Sequence, residues 1–277
     1  MNLARRGLFI SSIGALLGGC SAAAMLNATV PRKGFTLERD IAYGPLPRQK
    51  LDLYRPDRPR SDGRSVIFFY GGAWDSGSKN DYLFVGQALA ARGVTTIIAD
   101  YRIYPEVTFP DFVEDGARAT GWAAERAGAD RLFLMGHSSG AHIALMLAAD
   151  TPYLATAGVN RMKLPGAIGL AGPYDFLPLT SRRLQQIFGG ADRKETQPIA
   201  FATAPLPPVL LIHGTADLTV RPANSERLAA AWQRAGGQAD LRLYPEVDHV
   251  DAVAAFSDFL RKRAPTRDDV LAWIDQA

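Results

Sequence analysis

The chain has 277 residues, of which 47% are hydrophobic, and a formal net charge of +3. No linker, repeat or low-complexity stretch divides the sequence, so its length predicts one large globular domain. The sequence shows no basic stripe with interleaved aromatic residues, so nucleic acid is not expected as a partner. Its cysteine and histidine residues form no cluster that would indicate a metal site.

The first twenty residues have the pattern of an export signal. Arg5 and Arg6 precede an apolar run, residues 7–17, that is too short to span a bilayer. The run leads into Leu17-Gly18-Gly19-Cys20, which resembles a bacterial lipobox, whose cysteine becomes the lipidated first residue. The Arg5-Arg6 pair also resembles part of a twin-arginine export motif.

These features predict an export signal at residues 1–19, a linker at residues 20–35 that follows a lipid anchor on Cys20, and a folded domain at residues 36–277. The expected product is a lipoprotein that faces the bacterial periplasm and contacts a membrane through its anchor. An ordinary cleaved signal and an uncleaved N-terminal anchor are the alternatives. Cys20 is the only cysteine, so no intrachain disulfide is expected. The sequence does not indicate an oligomeric state.

Strand-like and helix-like segments alternate along the predicted domain. Residues 37–43 and 49–54 are expected to pair as edge strands. Further strands are predicted at residues 66–70, 94–99, 131–135, 164–170, 209–212 and 239–243, and helices at residues 81–92, 112–127, 141–149, 181–188 and 224–235. This alternation predicts an α/β fold with a mostly parallel central sheet of about eight strands and helices on both faces. Ligands of such sheets bind beyond the carboxyl ends of the strands.

A Gly-x-Ser-x-Gly motif, Gly136-His137-Ser138-Ser139-Gly140, lies between a predicted strand and a predicted helix. A serine on a strand-to-helix turn, with small residues two positions away on each side, is the pattern of a nucleophile elbow. The sequence therefore predicts Ser138 as a nucleophile. A Gly/Ser turn with a purely structural role is the alternative.

A serine nucleophile needs a base and an acid. Of the four histidines, His249 is the one that follows the last predicted strand, which is where the histidine stands in the order Ser…Asp/Glu…His. Asp217 follows the preceding strand, and its carboxylate is predicted to orient the imidazole and stabilise the imidazolium. The alternatives are a solvated loop histidine and, for Asp217, a helix N-cap or an Asx-turn. Asp248 and Glu246 are weaker candidates for the acid, because both lie too close in sequence to His249 to approach it from another strand end.

A glycine pair follows the strand predicted at residues 66–70, in the segment Gly71-Gly72-Ala73-Trp74. Two glycines let the backbone turn so that amide N–H groups point at a developing alkoxide, and each such donor contributes roughly 3 kcal/mol in the transition state. The predicted donors are the N–H groups of Gly72, Ala73 and Ser139. A Gly-Gly turn without this role is the alternative.

Together these segments resemble the α/β-hydrolase esterases related to hormone-sensitive lipase and to the bacterial feruloyl-esterase-like carboxylesterases. The resemblance covers roughly residues 36–275 and also includes the segments at residues 100–106 and 213–217. Two positions depart from the family pattern. Family members usually carry His-Gly-Gly where this chain has Tyr70-Gly71-Gly72, and Gly-His where it has Asp248-His249. Tyr70 keeps an aromatic body with a polar tip that can anchor the loop, whereas Asp248 adds a carboxylate beside the histidine.

Two further groups of residues follow predicted strands. Trp74, Tyr174 and Phe176 are expected to wall a substrate pocket, with ordinary apolar packing under a loop as the alternative. The segment Asp100-Tyr101-Arg102 has polar side chains that look chemical, but we expect it to brace a loop through ion pairs and hydrogen bonds.

The motifs and the resemblance predict a serine carboxylesterase that hydrolyses small acyl or aromatic esters through an acyl-enzyme, without a cofactor. The stretch between the strands that end near Leu170 and start near Val209 is rich in proline and glycine and too short for a large lid. Its composition therefore favours small soluble esters as substrates. The alternatives are a serine peptidase or an aryl-formamidase of the same fold, and a lipid-anchored binding protein without activity.

Overall fold

A computed structural model describes residues 23–277, and within them the chain forms an eight-stranded sheet. The strands are β1 (Phe35–Ala42), β2 (Lys50–Pro56), β3 (Ser65–Phe69), β4 (Thr95–Ala99), β5 (Leu132–His137), β6 (Ala167–Leu170), β7 (Val209–Gly214) and β8 (Ala239–Tyr244). Their spatial order is β1-β2-β4-β3-β5-β6-β7-β8. The predicted export signal and the predicted lipid attachment at Cys20 lie outside the described residues.

Helices follow most of the strands, as the alternating pattern predicts. They are α1 (Leu83–Ala90), α2 (Asp111–Ala127), α3 (Ser139–Ala149), α4 (Thr151–Thr156), α5 (Arg182–Phe188), α6 (Ala223–Arg234), α7 (Asp251–Ala254) and α8 (Thr266–Gln276). Residues 23–28 are also helical. The helix α8 has no counterpart among the predicted elements. Within residues 23–277, no helix is long and apolar enough to cross a membrane.

The strands from β3 to β8 are parallel to one another, whereas β2 is antiparallel to both of its neighbours. The expectation that the first two strands both lie at the edge is therefore wrong for β2. It pairs with β1 on one side and β4 on the other, and its residues from Leu51 to Tyr54 are buried. Because β2 has a strand on each side and both of its faces are covered, four successive residues are buried. A short alternating sequence pattern does not distinguish such a strand from an edge strand.

Helices cover both faces of the sheet, because successive side chains of a strand point to opposite sides. Phe68 contacts the ring of Tyr82 next to α1, and Phe133 contacts Trp273 of α8 on the same face. Phe69 points the other way, toward α2. Burial on both faces explains why β3 and β5 are almost continuously apolar.

The parallel arrangement brings the loops that follow β3, β5, β7 and β8 to one edge of the sheet. These loops carry Gly72, Ser138, Asp217 and His249, respectively. Since the carboxyl ends of neighbouring parallel strands meet at the same edge, four segments that are distant in sequence converge there.

Candidate active site

Ser138 lies on a sharp turn between the end of β5 and the start of α3. Its backbone has φ 54° and ψ −123°, a conformation that non-glycine residues rarely adopt. Glycine is required on both sides because the turn is so tight. A Cβ atom on Gly136 would lie 2.2 Å from the carbonyl oxygen of Gly140, and one on Gly140 would lie 2.0 Å from the carbonyl oxygen of Phe69.

Ser138, His249 and Asp217 form a continuous chain of hydrogen bonds. The Nε2 atom of His249 lies 2.9 Å from Ser138 Oγ, and its Nδ1 atom lies 2.7 Å from Asp217 Oδ2. A carboxylate only accepts hydrogen bonds, so Nδ1 carries the ring hydrogen and Nε2 offers a lone pair to the serine hydroxyl. The structure thus brings together the three residues predicted as nucleophile, base and acid.

Asp217 also forms the Asx-turn that the sequence offered as an alternative. Its Oδ1 accepts hydrogen bonds of 2.8 Å from the backbone N–H groups of Thr219 and Val220, while Oδ2 faces His249 and His213. Burial of the carboxyl favours its protonated form, but hydrogen bonds from the two histidines outweigh burial and hold the pKa of Asp217 well below its usual range. The carboxylate is therefore ionised near neutral pH.

The loop after β3 approaches Ser138 closely. A Cβ atom on Gly71 would lie 3.0 Å from Ser138 Cβ, and Gly72 and Ala73 have φ values of +147° and +50°. Among the described residues, the N–H groups of Gly72, Ala73 and Ser139 donate to no acceptor. Free N–H groups beside a serine hydroxyl are suited to binding an oxyanion.

Tyrosine side chains anchor the loop that follows β3. The Tyr70 ring stacks on Tyr101 at 4.7 Å between centroids and on Tyr82 at 5.9 Å. The Tyr101 hydroxyl donates to the Tyr70 carbonyl at 2.7 Å, and the Tyr82 hydroxyl accepts from the Gly71 N–H at 3.3 Å. Tyr70 itself, which stands where the family pattern has histidine, accepts a 2.8 Å hydrogen bond from Arg48. The loop anchor thus survives the substitution, with Arg48 as its partner.

Sequence reasoning did not identify Arg48 or Tyr82 as functional residues. Arg48 lies in the turn before β2, and its guanidinium also donates to the carbonyls of Tyr101 and Gly77 at 2.9 Å each. Neither residue belongs to a motif, so only the arrangement in space reveals their contacts with the loop.

The two histidines closest to Ser138 in sequence are buried. His137 Nε2 donates to the carbonyl of His249 at 3.0 Å, which fastens the loop after β8 to the elbow. His142 Nε2 donates to the carbonyl of Thr196 at 2.7 Å. Burial lowers the pKa of His137 to about 3, with a smaller contribution from His249, and lowers the pKa of His142 to about 4. Both rings are therefore neutral near pH 7.

Asp248, the second departure from the family pattern, serves the local backbone. Its Oδ1 accepts hydrogen bonds from the N–H groups of Val250 and Asp251, at 2.9 and 2.8 Å. Among the described residues, the Asp248 carboxylate makes no hydrogen bond to the His249 ring. The extra carboxylate beside the histidine therefore shapes the start of α7.

The three residues expected to wall a substrate pocket have different environments. Trp74 stacks on the partly exposed ring of Phe176 at 5.9 Å and packs edge-on against Phe188. Tyr174 is completely buried, and its hydroxyl lies over the glycines at 169 and 172. The expectation for Tyr174 is therefore wrong in this structure, because a fully buried ring offers no surface to a ligand. Phe188, from α5, was not predicted.

The segment after β4 braces its surroundings as expected. Arg102 forms a two-pronged ion pair with Asp115 of α2, at 2.8 and 2.9 Å, and Asp100 accepts a 2.8 Å hydrogen bond from the N–H of Lys79. In residues 23–277, no group of three or more histidine, cysteine, aspartate or glutamate side chains is arranged to hold a metal ion.

Comparison with known proteins agrees with the fold. The sequence matches the BD-FAE family over residues 51–232, more than half of the chain. It is 30% identical over 242 residues to isoprenylcysteine alpha-carbonyl methylesterase ICME of Arabidopsis thaliana. The match covers 78% of this chain but only 57% of that protein's length. It is 28% identical to kynurenine formamidase of Danio rerio, covering 79% of this chain and 76% of that protein.

Solved structures share the architecture. A truncated form of a carbohydrate esterase from gut microbiota superposes with a TM-score of 0.76 and 20% identity, over 90% of this chain and 98% of that one. At this identity the likeness establishes the fold alone.

Proposed function

The chain belongs to the BD-FAE family and has the α/β-hydrolase fold, and from this premise we propose that it is a serine carboxylesterase with Ser138, His249 and Asp217 as its catalytic residues. The observation that carries the proposal is the chain of hydrogen bonds from Ser138 Oγ through His249 to Asp217, at 2.9 and 2.7 Å. Free N–H groups beside Ser138 complete the requirements for acyl transfer.

The geometry suits a two-step reaction. As Ser138 Oγ attacks the ester carbonyl, His249 Nε2 takes the hydroxyl proton, and Asp217 stabilises the imidazolium that results. The ester C–O bond then breaks, and the alcohol leaves with the proton held on His249. Water attacks the acyl-enzyme in the same way, again giving its proton to His249, which releases the acid and restores Ser138.

The N–H groups of Gly72, Ala73 and Ser139 are proposed to bind the oxyanion of both tetrahedral intermediates. Each lies on a backbone whose conformation is set by packing before substrate arrives, so no reorganisation is needed as charge develops. Losing one such donor typically costs about 3 kcal/mol of transition-state stabilisation.

The segment between β6 and β7 supports a preference for small acyl groups. Its regular structure consists of α5 and two short 3₁₀ turns, Lys194–Thr196 and Pro198–Phe201. Phe188 at the end of α5 packs edge-on against Trp74 and against Phe176, so the segment contacts both of these rings. We propose that the partly exposed ring of Phe176, which stacks on the buried Trp74, contacts a short acyl or aromatic group.

A panel of p-nitrophenyl esters tests this function. Wild-type enzyme should hydrolyse acetyl and butyryl esters well and palmitoyl esters poorly, without a jump in rate above the solubility limit. Ser138→Ala should lose several orders of magnitude in kcat. Ser65→Ala is the matched control and should retain wild-type turnover. Ser65 is the first residue of β3 and lies at the edge of the sheet opposite to Ser138. Equal turnover by Ser138→Ala and wild type would overturn the catalytic assignment.

Hydrolysis of aryl formamides is a second candidate, favoured by the match to the zebrafish formamidase, of which this chain covers 76%. An anilide leaving group needs the same proton from His249, so the site chemistry suits both. Comparing kcat/KM for an N-formyl anilide and for an aryl ester of similar size decides between the two. An anilide preference would make the formamidase activity primary, and no anilide turnover would exclude it.

We also propose that the protein is an exported lipoprotein whose Cys20 carries the lipid. Support comes from the sequence pattern Arg5-Arg6, apolar run, Leu17-Gly18-Gly19-Cys20. Cys20→Ser should release the protein from the membrane fraction or block its processing, because stable anchoring needs more than one acyl chain at the N-terminus. Mass spectrometry that found an unmodified Cys20 or an intact Met1 would contradict this.

A further inference from the structure

A second histidine, His213, contacts the proposed catalytic acid. Its Nε2 atom lies 3.2 Å from Asp217 Oδ2, the same oxygen that faces His249, and both side chains are completely buried. The same Nε2 atom lies 2.8 Å from the carbonyl oxygen of Val220. On the other side of the ring, Nδ1 lies 2.7 Å from the hydroxyl of Ser225 in α6.

These contacts determine where the ring hydrogen lies. A backbone carbonyl and a carboxylate accept but cannot donate, so Nε2 of His213 must carry a hydrogen. That single N–H points at Val220 O and is shared with Asp217 Oδ2. The neutral ring then has a lone pair on Nδ1, which accepts the hydroxyl hydrogen of Ser225. The Val220 carbonyl and the Asp217 carboxylate thus set the tautomer, and the hydrogen bond from Ser225 holds the ring in this orientation.

Asp217 consequently has four donor groups around its carboxylate. The backbone N–H groups of Thr219 and Val220 donate to Oδ1, and His249 Nδ1–H donates to Oδ2. The Nε2–H of His213, which donates to the Val220 carbonyl, lies 3.2 Å from the same Oδ2. The bond from His213 also holds the Val220 carbonyl, so one ring fixes both the carboxylate and the turn that carries it.

We propose that His213 is a positioning residue for the Asp217–His249 pair, and that the Ser225 hydroxyl holds its ring in the required orientation. In this role His213 keeps Oδ2 aligned with His249 and takes up part of its negative charge. The inference rests on the proposed function, because it concerns the same acid and base. It assigns a role to a residue that the order of motifs leaves without one.

The charge on Asp217 Oδ2 sets how strongly His249 holds a proton. Removing the His213 N–H concentrates that charge on His249, so the protonated imidazole becomes more favourable and the acid limb of activity moves to higher pH. The other titratable groups near the pair are His137, from the elbow, and Asp248 and Asp251, from the loop that carries His249. His137 is neutral because burial lowers its pKa to about 3, and Asp251 is paired with Arg263.

The test compares His213→Leu, which lacks a donor, with His213→Gln, whose amide N–H can replace Nε2–H. In pH profiles of kcat/KM for a short p-nitrophenyl ester, His213→Leu should move the acid limb to higher pH. It should also lower kcat about tenfold, and KM should change little. His213→Gln should restore both the limb and most of kcat. A folded His213→Leu with a wild-type profile, or identical behaviour of the two variants, would overturn the proposal.

Ser225→Ala keeps the proposal testable if His213→Leu does not fold. Without the hydroxyl, the ring loses the hydrogen bond at Nδ1 that helps to fix its orientation, so the limb should move in the same direction by a smaller amount. Ser65→Ala, a buried serine at the far end of β3, is the matched control and should leave the profile unchanged. An unchanged profile in Ser225→Ala would contradict the role given to this serine.

Proton NMR separates failure of this inference from failure of the proposed function. The low-field resonance of the His249 Nδ1–H is followed against pH without substrate, in wild type and in each variant. A higher titration midpoint in Ser225→Ala or His213→Leu supports the positioning role even if no ester is turned over. Coincident midpoints in an enzyme that hydrolyses esters would reject the positioning role alone.

Discussion

Asp217 and His249 lie on one side of Ser138 and residues 71–75 on the other, and different contacts hold the two sides. On the acid–histidine side the contacts are polar and, apart from the bond between His137 and the His249 carbonyl, close in sequence. Asp217 binds the N–H groups of Thr219 and Val220, and Asp248 binds those of Val250 and Asp251. On the other side the anchors are aromatic rings and one guanidinium from other segments of the chain.

The two sides of Ser138 should therefore respond differently to substitution. In the proposed reaction the acid–histidine side carries the charge that is used, so changes there should reduce turnover greatly. The loop at residues 71–75 contributes uncharged N–H groups whose value depends on where Tyr70, Tyr82 and Tyr101 hold them. Changes to those tyrosines should reduce turnover moderately and should also reduce stability.

Replacing the acid is expected to have the largest effect. Asp217→Asn keeps the Asx-turn acceptor but removes the charge that orients and stabilises the imidazolium, so kcat should fall by about 10⁴-fold. The melting temperature should change little, because the amide oxygen still accepts from the N–H groups of Thr219 and Val220. Steady-state kinetics and thermal melting of one preparation provide both values. A loss of activity that merely tracks a loss of folded protein would remove the distinction between the two sides.

Changes to the tyrosine anchors should have intermediate effects. Tyr82→Phe leaves the Gly71 N–H without its acceptor and frees the loop, so kcat should fall about tenfold while KM stays constant. Tyr43→Phe is the matched control, since its buried hydroxyl donates to the carbonyl of Asp100, away from the loop. It should lower the free energy of unfolding by about 1 kcal/mol and leave kcat unchanged. Equal kcat in the two variants would show that the anchor does not act on the loop.

Two buried histidines, one on each side of Ser138, should make the free energy of unfolding depend on pH. His137 contacts His249 and His142 contacts Trp74, and burial lowers their pKa values to about 3 and about 4. The unfolded chain binds a proton at each histidine below about pH 6.5, whereas the folded chain does not, so stability is full above that pH and is lost as pH falls. The slope should be about 1.4 kcal/mol per pH unit for each histidine between pH 6.5 and 4.

Urea unfolding at several pH values measures this slope. His142→Gln, whose amide N–H can still reach the Thr196 carbonyl, should lose about half of the slope because one of the two titrating rings is gone. A slope identical to that of wild type would show that His142 does not titrate on unfolding in this window.

The smallest effect is expected at Asp248, on the acid–histidine side itself. Asparagine can accept the same two N–H bonds through Oδ1, so Asp248→Asn should keep kcat/KM within about twofold and stability within about 0.5 kcal/mol. A shift in the acid limb of the pH profile would show instead that the carboxylate acts on His249.

The contrast between the two sides also explains what the sequence revealed. Ser138, Asp217 and His249 were predictable because each stands directly after a strand, and parallel strands bring such positions to one edge. The steric need for Gly136 is equally local, whereas Gly140 is required by the backbone of Phe69, which is distant in sequence. The fold followed from the alternation of strands and helices, which burial on both faces of the sheet requires.

Arg48, Tyr82 and His213 were not predictable in the same way. Arg48 contacts Tyr70, 22 positions away, and Tyr82 contacts Gly71, 11 positions away. His213 contacts Asp217, 4 positions away. No periodicity of the sequence encodes such contacts. Tyr174 was placed wrongly because a tyrosine after a strand is equally suited to a pocket wall and to the core. The close approach of its hydroxyl to the glycines at 169 and 172 decides for the core.

Labelling with a fluorophosphonate probe tests the central claim most directly, because only an activated serine reacts. Mass spectrometry of the labelled, digested protein should place a single adduct on the peptide that contains Ser138. The adduct should be absent in Ser138→Ala and strongly reduced in His249→Asn. An unlabelled wild-type enzyme, or an adduct that persists in Ser138→Ala, would contradict the assignment of Ser138 as the nucleophile.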